Sequence, residues 1–506
     1  MGKAELEKAI DKLKQYNMRF SILFLLTLTS IACTSIERLQ VSSENPHLIE
    51  TIGGKPVFVN NYTAWRLLVN GSREDISELI KITSSQKFNM ISCVILNADT
   101  TRSSIYGTSP LAFDSSGNPD PLKPNTTPGA DPEIAGQYDY WDHVDYLVDY
   151  AAKIGMYVSL HPTWGDWVSG SWYGPVPKDT IIFNESNAYA YGQWLGRRYG
   201  SRNNLIWMIG GDRSAVYDLD DGIHDFREVW SSMAKGLRDG ENALYNKDKL
   251  AEYDHILISF HPRKYLPNSS EWFHSDPWLA FNSVQDAPYD QIVSIPHDYE
   301  LSPKKPTWLF EGRYEGRMSA WGVRYQAYQT VFAGGFGHTY GSENWHFPPN
   351  WKELTMLPGS NQMAYLYAVS REIWSDQEYL DRMPDQAMIS GENGFTYGDG
   401  EFDAKGNKKE APVFSDRITA IRSMNGNWAM AYSANGRDIT LDLSHLAHGK
   451  LNAYWFNPRN GKWWLKGNEL DKITPFLKDV VTGKGEKTFN PPGDESDAND
   501  WVLVLK

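Results

Sequence analysis

Two acidic residues close apolar runs at places where a carboxyl group could do chemistry. Asp212 follows "NLIWMIGG" (204–211), and Glu311 ends "PTWLFE" (306–311). A carboxylate at the end of a buried strand must be paired or functional, because stripping it of water is costly. Placed across a cleft, two such groups can cleave a glycosidic bond: one protonates the leaving oxygen, and the other attacks the sugar or activates water. Gly210 and Gly211 carry no side chains, which permits unusual backbone angles and close approach of a ligand. Arg213 is placed to pair with Asp212 or with a neighbouring acid. Two alternatives stand beside this reading. Gly-Asp is also a common helix-capping pattern, and Glu315 in "EGRYEG" rivals Glu311. Glu311 is preferred because it ends the apolar run, whereas Glu315 already lies in the loop.

Carboxyls can face each other only if the elements that carry them converge. Eight strand candidates alternate with helical patterns: "KPVFVNNYTAW" (55–65), "NMISCVILN" (89–97), "MYVSLHPTWGDW" (156–167), "NLIWMIGGD" (204–212), "HILISFHP" (255–262), "PWLAFNSVQ" (277–285), "PTWLFEGRYEG" (306–316) and "FGHTYGSENWH" (336–346). Continuous apolar strands between amphipathic helices, such as the stripe Trp141, Val144, Leu147, Val148 and Ala151, predict a parallel sheet covered on both faces. Eight units predict an α/β fold of the closed (β/α)8 TIM-barrel type, over residues 45–384, with its site at the strand C-terminal ends. Those ends add substrate-binding candidates: His161, Trp164, Asp166, Arg213, His261, Gln285, Glu315, Asn344 and Trp345. From residue 385 to 506 the texture becomes short alternating strands with Asn-Gly turns, as in "RSMNGNWAMAYSANGRDITLDLS", which predicts an antiparallel β-sandwich.

Composition narrows the partners. The chain has 506 residues and a net charge of −14, with no basic block, which argues against nucleic acid. An acidic substrate must therefore be met by local Arg or Lys. Twenty Trp and 28 Tyr exceed ordinary usage, and flat aromatic faces suit sugar rings as well as cores. "MRFSILFLLTLTSIAC" (18–33) has a basic start, a short apolar core and small residues before a Cys, an export pattern resembling a bacterial lipobox. Met18 is read as the true start and residues 1–33 as the leader, although Ser30 replaces the usual Leu. Cys33 is the expected lipidation site. The protein is then expected to be an exported lipoprotein at the outer membrane surface or in the periplasm. Losing residues 1–32 removes five bases and three acids, leaving a charge of about −16. Cys93, in "MISCVILN", reads as a buried structural thiol.

The blocks "FNMISCVILN", "YWDHVDYLVDYAAKIGMYVSLHPTWGD", "AYGQWLGRRYGSRNNLIWMIGGDR" and "PTWLFEGRYEG" resemble the apiosidase-like glycoside hydrolases of family 140. The tail resembles the collagen-binding-type β-sandwich that often follows them, and the likeness covers roughly residues 45–506. The resemblance implies hydrolysis of plant cell-wall polysaccharide, in particular release of apiose from the pectin rhamnogalacturonan II. It also implies Asp212 as catalytic acid/base and Glu311 as nucleophile, with Trp164 stacking on sugar and Asp166 holding hydroxyls. Gly211-Asp212 replaces the Asn-Glu of many related barrels, so retaining chemistry is favoured over inverting but left open. No cofactor is expected.

Three other readings compete. Another exo- or endo-glycosidase specificity could occupy the same barrel. A metal-dependent barrel hydrolase normally carries His-x-His on its first strand; "VFVNNYTAW" has none, and no HExxH occurs, so no metal site is expected. A non-catalytic surface glycan-binding protein would use the aromatic surplus and the tail.

Overall fold

Each of the eight apolar runs forms a strand: β1 (Val59–Thr63), β2 (Met90–Leu96), β3 (Tyr157–Thr163), β4 (Leu205–Gly210), β5 (Ile258–His261), β6 (Asn282–Gln285), β7 (Thr307–Glu311) and β8 (Gly337–Tyr340). They pair in parallel in the order β5-β4-β3-β2-β1-β8-β7-β6. The seam between β5 and β6 is joined by the parallel bridge Ile258–Leu279 and by Ala280 N–H donating to Ile258 O at 2.8 Å. The sheet is thus a closed barrel. Every residue of β2 and β3 is buried, which is why these strands read as unbroken apolar runs and not as an alternation. The computed structural model describes residues 36–97, 104–171, 181–245, 253, 255–264, 268–285, 290–394 and 416–506, and Glu37–Lys506 form one compact unit. The leader and Cys33 lie outside the described residues. Cys93 is buried, and burial raises its thiol pKa.

The barrel helices are α1 (Arg73–Ser85), α2 (Tyr140–Ile154), α3 (Glu185–Tyr199), α4 (Arg227–Asn242), α5 (Ser269–Phe273), α6 (Asp290–Glu300), α7 (Ala320–Phe332) and α8 (Pro358–Tyr367). Capping boxes start three of them: Ser72 with Asp75, Asp139 with Asp142 and Asn184 with Asn187. The predicted stripe of α2 is buried from Trp141 to Ala151. Helices α3 and α4 touch backbone to backbone. A Cβ on Gly196 would lie 2.2 Å from Leu237 O, and one on Gly240 would lie 2.1 Å from Gln193 O.

Inside the barrel, Asn61 donates to Ser92 Oγ at 2.7 Å and to Thr339 Oγ1 at 3.2 Å. Trp65, Trp164, Phe310, His161 and His261 pack together, with ring centroids 4.9 Å apart for His261 and Phe310 and 5.6 Å for Trp65 and Trp164. This aromatic layer underlies the strand C-terminal ends and gives the site a rigid, low-dielectric base.

The C-terminal region is antiparallel. β9 (Arg382–Pro384), β10 (Ile418–Ser423), β11 (Ala429–Ser433), β13 (Gly449–Asn457), β14 (Lys462–Leu465), β15 (Asn468–Leu470) and β18 (Trp501–Leu505) form one sheet, in the order β9-β10-β11-β18-β13-β14-β15. β16 (Leu477–Thr482) pairs with β13. β12 (Ile439–Asp442) and β17 (Glu486–Phe489) make a second, two-stranded layer. Ile439, Leu441 and Phe489 of that layer share one apolar core with Trp455, Leu503 and Leu505, which is the packing of a sandwich. The Asn-Gly turns hold their glycines at positive φ, 73° at Gly426 and 74° at Gly461.

One helix joins the two regions. All of α7 from Trp321 to Phe332 is buried. Trp321 Nε1 donates to Ala434 O at 2.8 Å, Arg324 grips both oxygens of Asp500, and Tyr328 stacks on Tyr432 at 4.8 Å. Trp321, Arg324 and Tyr328 of this helix therefore meet the sandwich, not solvent.

Candidate active site

The chain leaves β4 through three consecutive residues at positive φ: Gly210 at 92°, Gly211 at 124° and Asp212 at 56°. A Cβ on Gly210 would meet His261 O at 2.4 Å, and one on Gly211 would meet Gly165 N at 2.9 Å. The glycines are needed because this turn is woven between its neighbours: Gly211 N–H donates to His261 O at 3.0 Å, and Gly165 N–H donates to Gly211 O at 3.1 Å. Asp is among the few side-chain-bearing residues that enter the left-handed region readily. The coil delivers its carboxyl to a cleft also lined by Trp65, Arg66, Asn97, Trp164, Asp166, Arg213 and Trp345, with a volume of about 330 Å³.

Glu311, the last residue of β7, is held from several sides. Gln285, at the end of β6, donates from Nε2 to Glu311 Oε2 at 2.9 Å, and Tyr314 donates its hydroxyl to Oε1. Trp65 Nε1 in turn donates to the Tyr314 hydroxyl at 2.7 Å. His261 Nε2 approaches Oε2 at 2.9 Å, off the line of a hydrogen bond. Burial pushes the His261 pKa down to about 3, so the ring next to Glu311 is neutral. On this side lies a second hollow of about 240 Å³, lined by Lys264, Gln285, Glu311, Arg313, Tyr314 and Arg317.

Both carboxyls are pushed above their ordinary pKa values, mainly by burial. At Asp212 the negative charge of Glu311 adds to the rise, while Arg213 and Gln285 oppose it. At Glu311 the opposition is stronger in kind: hydrogen bonds from Tyr314 and Trp65, then the charges of Arg317 and Lys264. Asp212 Oδ1 has no hydrogen-bond partner. Burial thus inclines both acids toward the protonated form, while the donors and cations around Glu311 favour its negative charge more than the surroundings of Asp212 do.

Arg213 spreads its guanidinium over several partners, among them Asp166 Oδ1 at 2.8 Å, the Asp212 carbonyl at 2.6 Å, Gly170 O at 3.3 Å and Asp212 Oδ2 at 3.4 Å. Asp166 Oδ2 has no hydrogen-bond partner, so this cleft-lining carboxylate keeps an acceptor for a hydroxyl. Trp164 and Trp345 line the same cleft, and Arg66 stacks over Trp345 at 5.6 Å. Of the strand-end candidates, Asp212, Glu311, Trp164, Asp166, Arg213, Gln285 and Trp345 line one or other hollow, and His261 lies directly under Glu311.

Three candidates are placed differently. Glu315 is buried and accepts from the Tyr340 hydroxyl at 2.6 Å and from the backbone N–H groups of Gly359 and Ser360 at 2.9 and 3.2 Å. Its carboxylate is spent on the first turn of α8, where free N–H groups favour an anion. Asn344 is fully buried and donates to the Tyr62 hydroxyl and to Thr355 Oγ1, each at 2.9 Å, locking β8 to β1. His161 is fully buried in the aromatic layer, with its pKa driven well down by burial. These are supporting residues, not sugar contacts. Strand-end position had not singled out Trp65, Tyr314, Lys264, Arg317 or Arg66. Among the described residues no cluster of three or more His, Cys, Asp or Glu is placed to hold a metal ion.

A family model described as "Apiosidase-like, catalytic domain" matches residues 43–376, and one described as "Putative collagen-binding domain of a collagenase" matches residues 406–506. Among solved structures, one described as a glycoside hydrolase superposes with a TM-score of 0.71 at 26% identity, covering 93% of this chain and 96% of its own. A family 5 glycoside hydrolase from Bacteroides vulgatus ATCC 8482 superposes with a TM-score of 0.70 at 27% identity, covering 92% and 93%. Among curated proteins none matches. With the first family model spanning more than half of its length around these two carboxyls, the chain belongs to the apiosidase-like family of glycoside hydrolases.

Proposed function

We propose that this glycoside hydrolase removes side-chain sugars from pectin, in the manner of an apiosidase acting on rhamnogalacturonan II, with Glu311 as nucleophile and Asp212 as acid/base. The observation that carries the reading is the placement of two carboxyls at the C-terminal ends of β4 and β7, each lining a hollow at the barrel mouth. Asp212, kept protonated by burial and by the charge of Glu311, gives its proton to the glycosidic oxygen as that bond breaks. Glu311 attacks the anomeric carbon and forms a glycosyl ester. Asp212, now ionised, takes a proton from water, which displaces Glu311 and releases sugar with its original anomeric configuration. Trp164 and Trp345 offer flat faces to the substrate, and Asp166 Oδ2 accepts from a hydroxyl.

The pectin assignment draws support from charge. The chain is acidic, at −14, yet Lys264, Arg313 and Arg317 gather on the Glu311 side of the cleft. Local cations of this kind suit a substrate that carries carboxylates. The leader ending at Cys33 supports export and a lipid anchor at the cell surface or in the periplasm. C33S is then expected to leave the membrane fraction, and unchanged membrane association would refute the anchor.

The decisive experiment follows product formation by NMR with rhamnogalacturonan II fragments and neutral aryl glycosides. D212N and E311Q are each expected to lose hydrolysis, and the first-formed sugar is expected to keep its configuration. Full activity in E311Q, or an inverted product, would overturn the mechanism; cleavage of neutral glycosides alone would overturn the substrate.

A further inference from the structure

We infer that Gln326 is a positioning residue for Glu311 and that the C-terminal sandwich fixes its place through α7. The inference rests on the reading of Glu311 as nucleophile. Gln326 is 2% exposed, and its amide is committed in both directions to the backbone of one residue in the loop after β7. Arg313 N–H donates to Gln326 Oε1 at 2.9 Å, and Gln326 Nε2 donates to Arg313 O at 2.9 Å. The residue between Glu311 and this clamp is Gly312, where a Cβ would fall 2.7 Å from Gln326 Nε2. Glycine is what lets the amide reach the backbone.

The clamped segment leads directly to Tyr314, whose hydroxyl donates to Glu311 Oε1. Beyond β7 the loop has left the strand ladder, so the two bonds from Gln326 do for Arg313 what a neighbouring strand would do. Slackening the clamp moves Tyr314 and weakens its hydrogen bond. That bond favours the ionised form of Glu311, so losing it raises the carboxyl's pKa further.

The other side of α7 explains why the clamp is firm. Trp321, Arg324 and Tyr328 stand at i, i+3 and i+7 and share one face, which bonds Ala434, grips Asp500 and stacks on Tyr432. Gln326 projects from a different face of the same helix, toward the loop. The sandwich thus acts at a distance from substrate, as the abutment against which α7 holds the loop beside the nucleophile.

The test is Q326M, which keeps length and burial but removes the amide. Expected are a kcat lower by about 10- to 100-fold, because small misplacements at a reacting centre are costly, and a KM within about twofold of the parent. The acidic limb of kcat/KM should move to higher pH, since Glu311 must be ionised to attack and would ionise later. Y314F should move the same limb in the same direction, and adding Q326M to Y314F should move it little more. A Q326M limb that coincides with the parent's overturns the inference, whatever the change in Tm. Should Q326M not fold, W321F deletes the α7 bond to Ala434 and trims the buried ring beside it. A smaller shift of the same sign then supports the abutment, and an unmoved limb with a lowered Tm overturns it. If E311Q still hydrolyses substrate, the nucleophile reading itself falls; if E311Q is inactive and Q326M has a normal limb, only this inference falls.

Discussion

Of the aspartates that lie beside arginines, one at the barrel mouth and one where the barrel meets the sandwich are treated differently by their partners. At the junction, Arg324 offers Nε to Asp500 Oδ2 and Nη2 to Oδ1, both at 2.8 Å, and Tyr432 adds a hydroxyl at 3.2 Å. Pair and partner are almost wholly excluded from water, with side-chain exposures of 3% and 0%. At the mouth, Arg213 spends one arm on Asp166 and another on a carbonyl, and reaches the Asp212 carboxyl only at 3.4 Å. One oxygen of Asp212 has no hydrogen-bond partner at all. A buried acid is stabilised as an anion when a fork meets both oxygens. An arginine that merely stands near leaves the acid inclined to keep its proton. The first arrangement suits architecture, and the second suits the acid/base role proposed for Asp212.

The largest effect expected from breaking this contrast is on turnover. D212N should lower kcat by about 10²- to 10⁴-fold, the usual range for loss of a general acid. Its stability should move the other way, in a pH-dependent manner. Folding raises the Asp212 pKa above its ordinary 3.8, so ionisation opposes folding. That penalty is absent below the ordinary value, grows as pH rises from there toward the folded one, and is fully present above it. D212N should therefore have a higher Tm than the parent at about pH 9, and no such gain at about pH 3, by calorimetry. A lower Tm at both would mean that Asp212 is a structural anion after all.

At the junction the signs reverse. R324M strands Asp500 without its fork and should cost about 3–5 kcal/mol in denaturant unfolding, the usual penalty for breaking a buried pair. Replacing both partners, as R324M/D500L, should recover most of that loss, because two apolar groups need no compensation. A double variant no more stable than the single one would show that the pair is not the source of the cost. Next in size, D166N frees an arm of Arg213 and removes a negative neighbour of Asp212. Both changes lower the Asp212 pKa, so the basic limb of kcat/KM should move to lower pH by about half a unit, under 1 kcal/mol. An unmoved limb would mean that Arg213 is held by its other partners and cannot turn.

What the sequence discloses follows from how local the physics is. β4 and β7 were legible because strands covered on both faces need uninterrupted apolar side chains, and the acids that end them break that pattern. The antiparallel tail was legible from its alternation and its glycine turns. Glu315 looked like a second acid at the mouth, because nothing in "EGRYEG" says that the first turn of α8, more than 40 residues later, comes to rest on it. Asn344 was placed in the site by strand-end position, yet its amide faces Tyr62 and Thr355. Tyr314 escaped notice for the converse reason: only the backward fold of the loop brings its hydroxyl to Glu311. The cations Lys264, Arg313 and Arg317 converge from loops after β5 and β7, so no stretch of sequence displays them as a patch. The Gly192–Gly196 and Gly236–Gly240 spacings do stand in the sequence, but which helices they join is a property of barrel order.

An exposed Asp–Arg pair sets the lower bound of the comparison. Arg227 holds Asp225 with Nε at 3.0 Å from both oxygens and Nη2 at 2.6 Å from Oδ2, a fork as complete as the one on Asp500. Its side chains are 49% and 38% exposed. Water already solvates both charges in the unfolded chain and largely in the folded one, so little is gained by bringing them together, and salt screens what remains. D225N is accordingly expected to change unfolding free energy by less than about 1 kcal/mol at physiological salt. If D225N instead costs as much as R324M, fork geometry alone would set the strength of these pairs, and the contrast between mouth and junction would have to be redrawn without burial. If the cost is small, two pairs with the same fork differ because one is dry. Asp212 then falls into place as the remaining combination, an acid partly removed from water but without the fork, which is the condition that favours a retained proton.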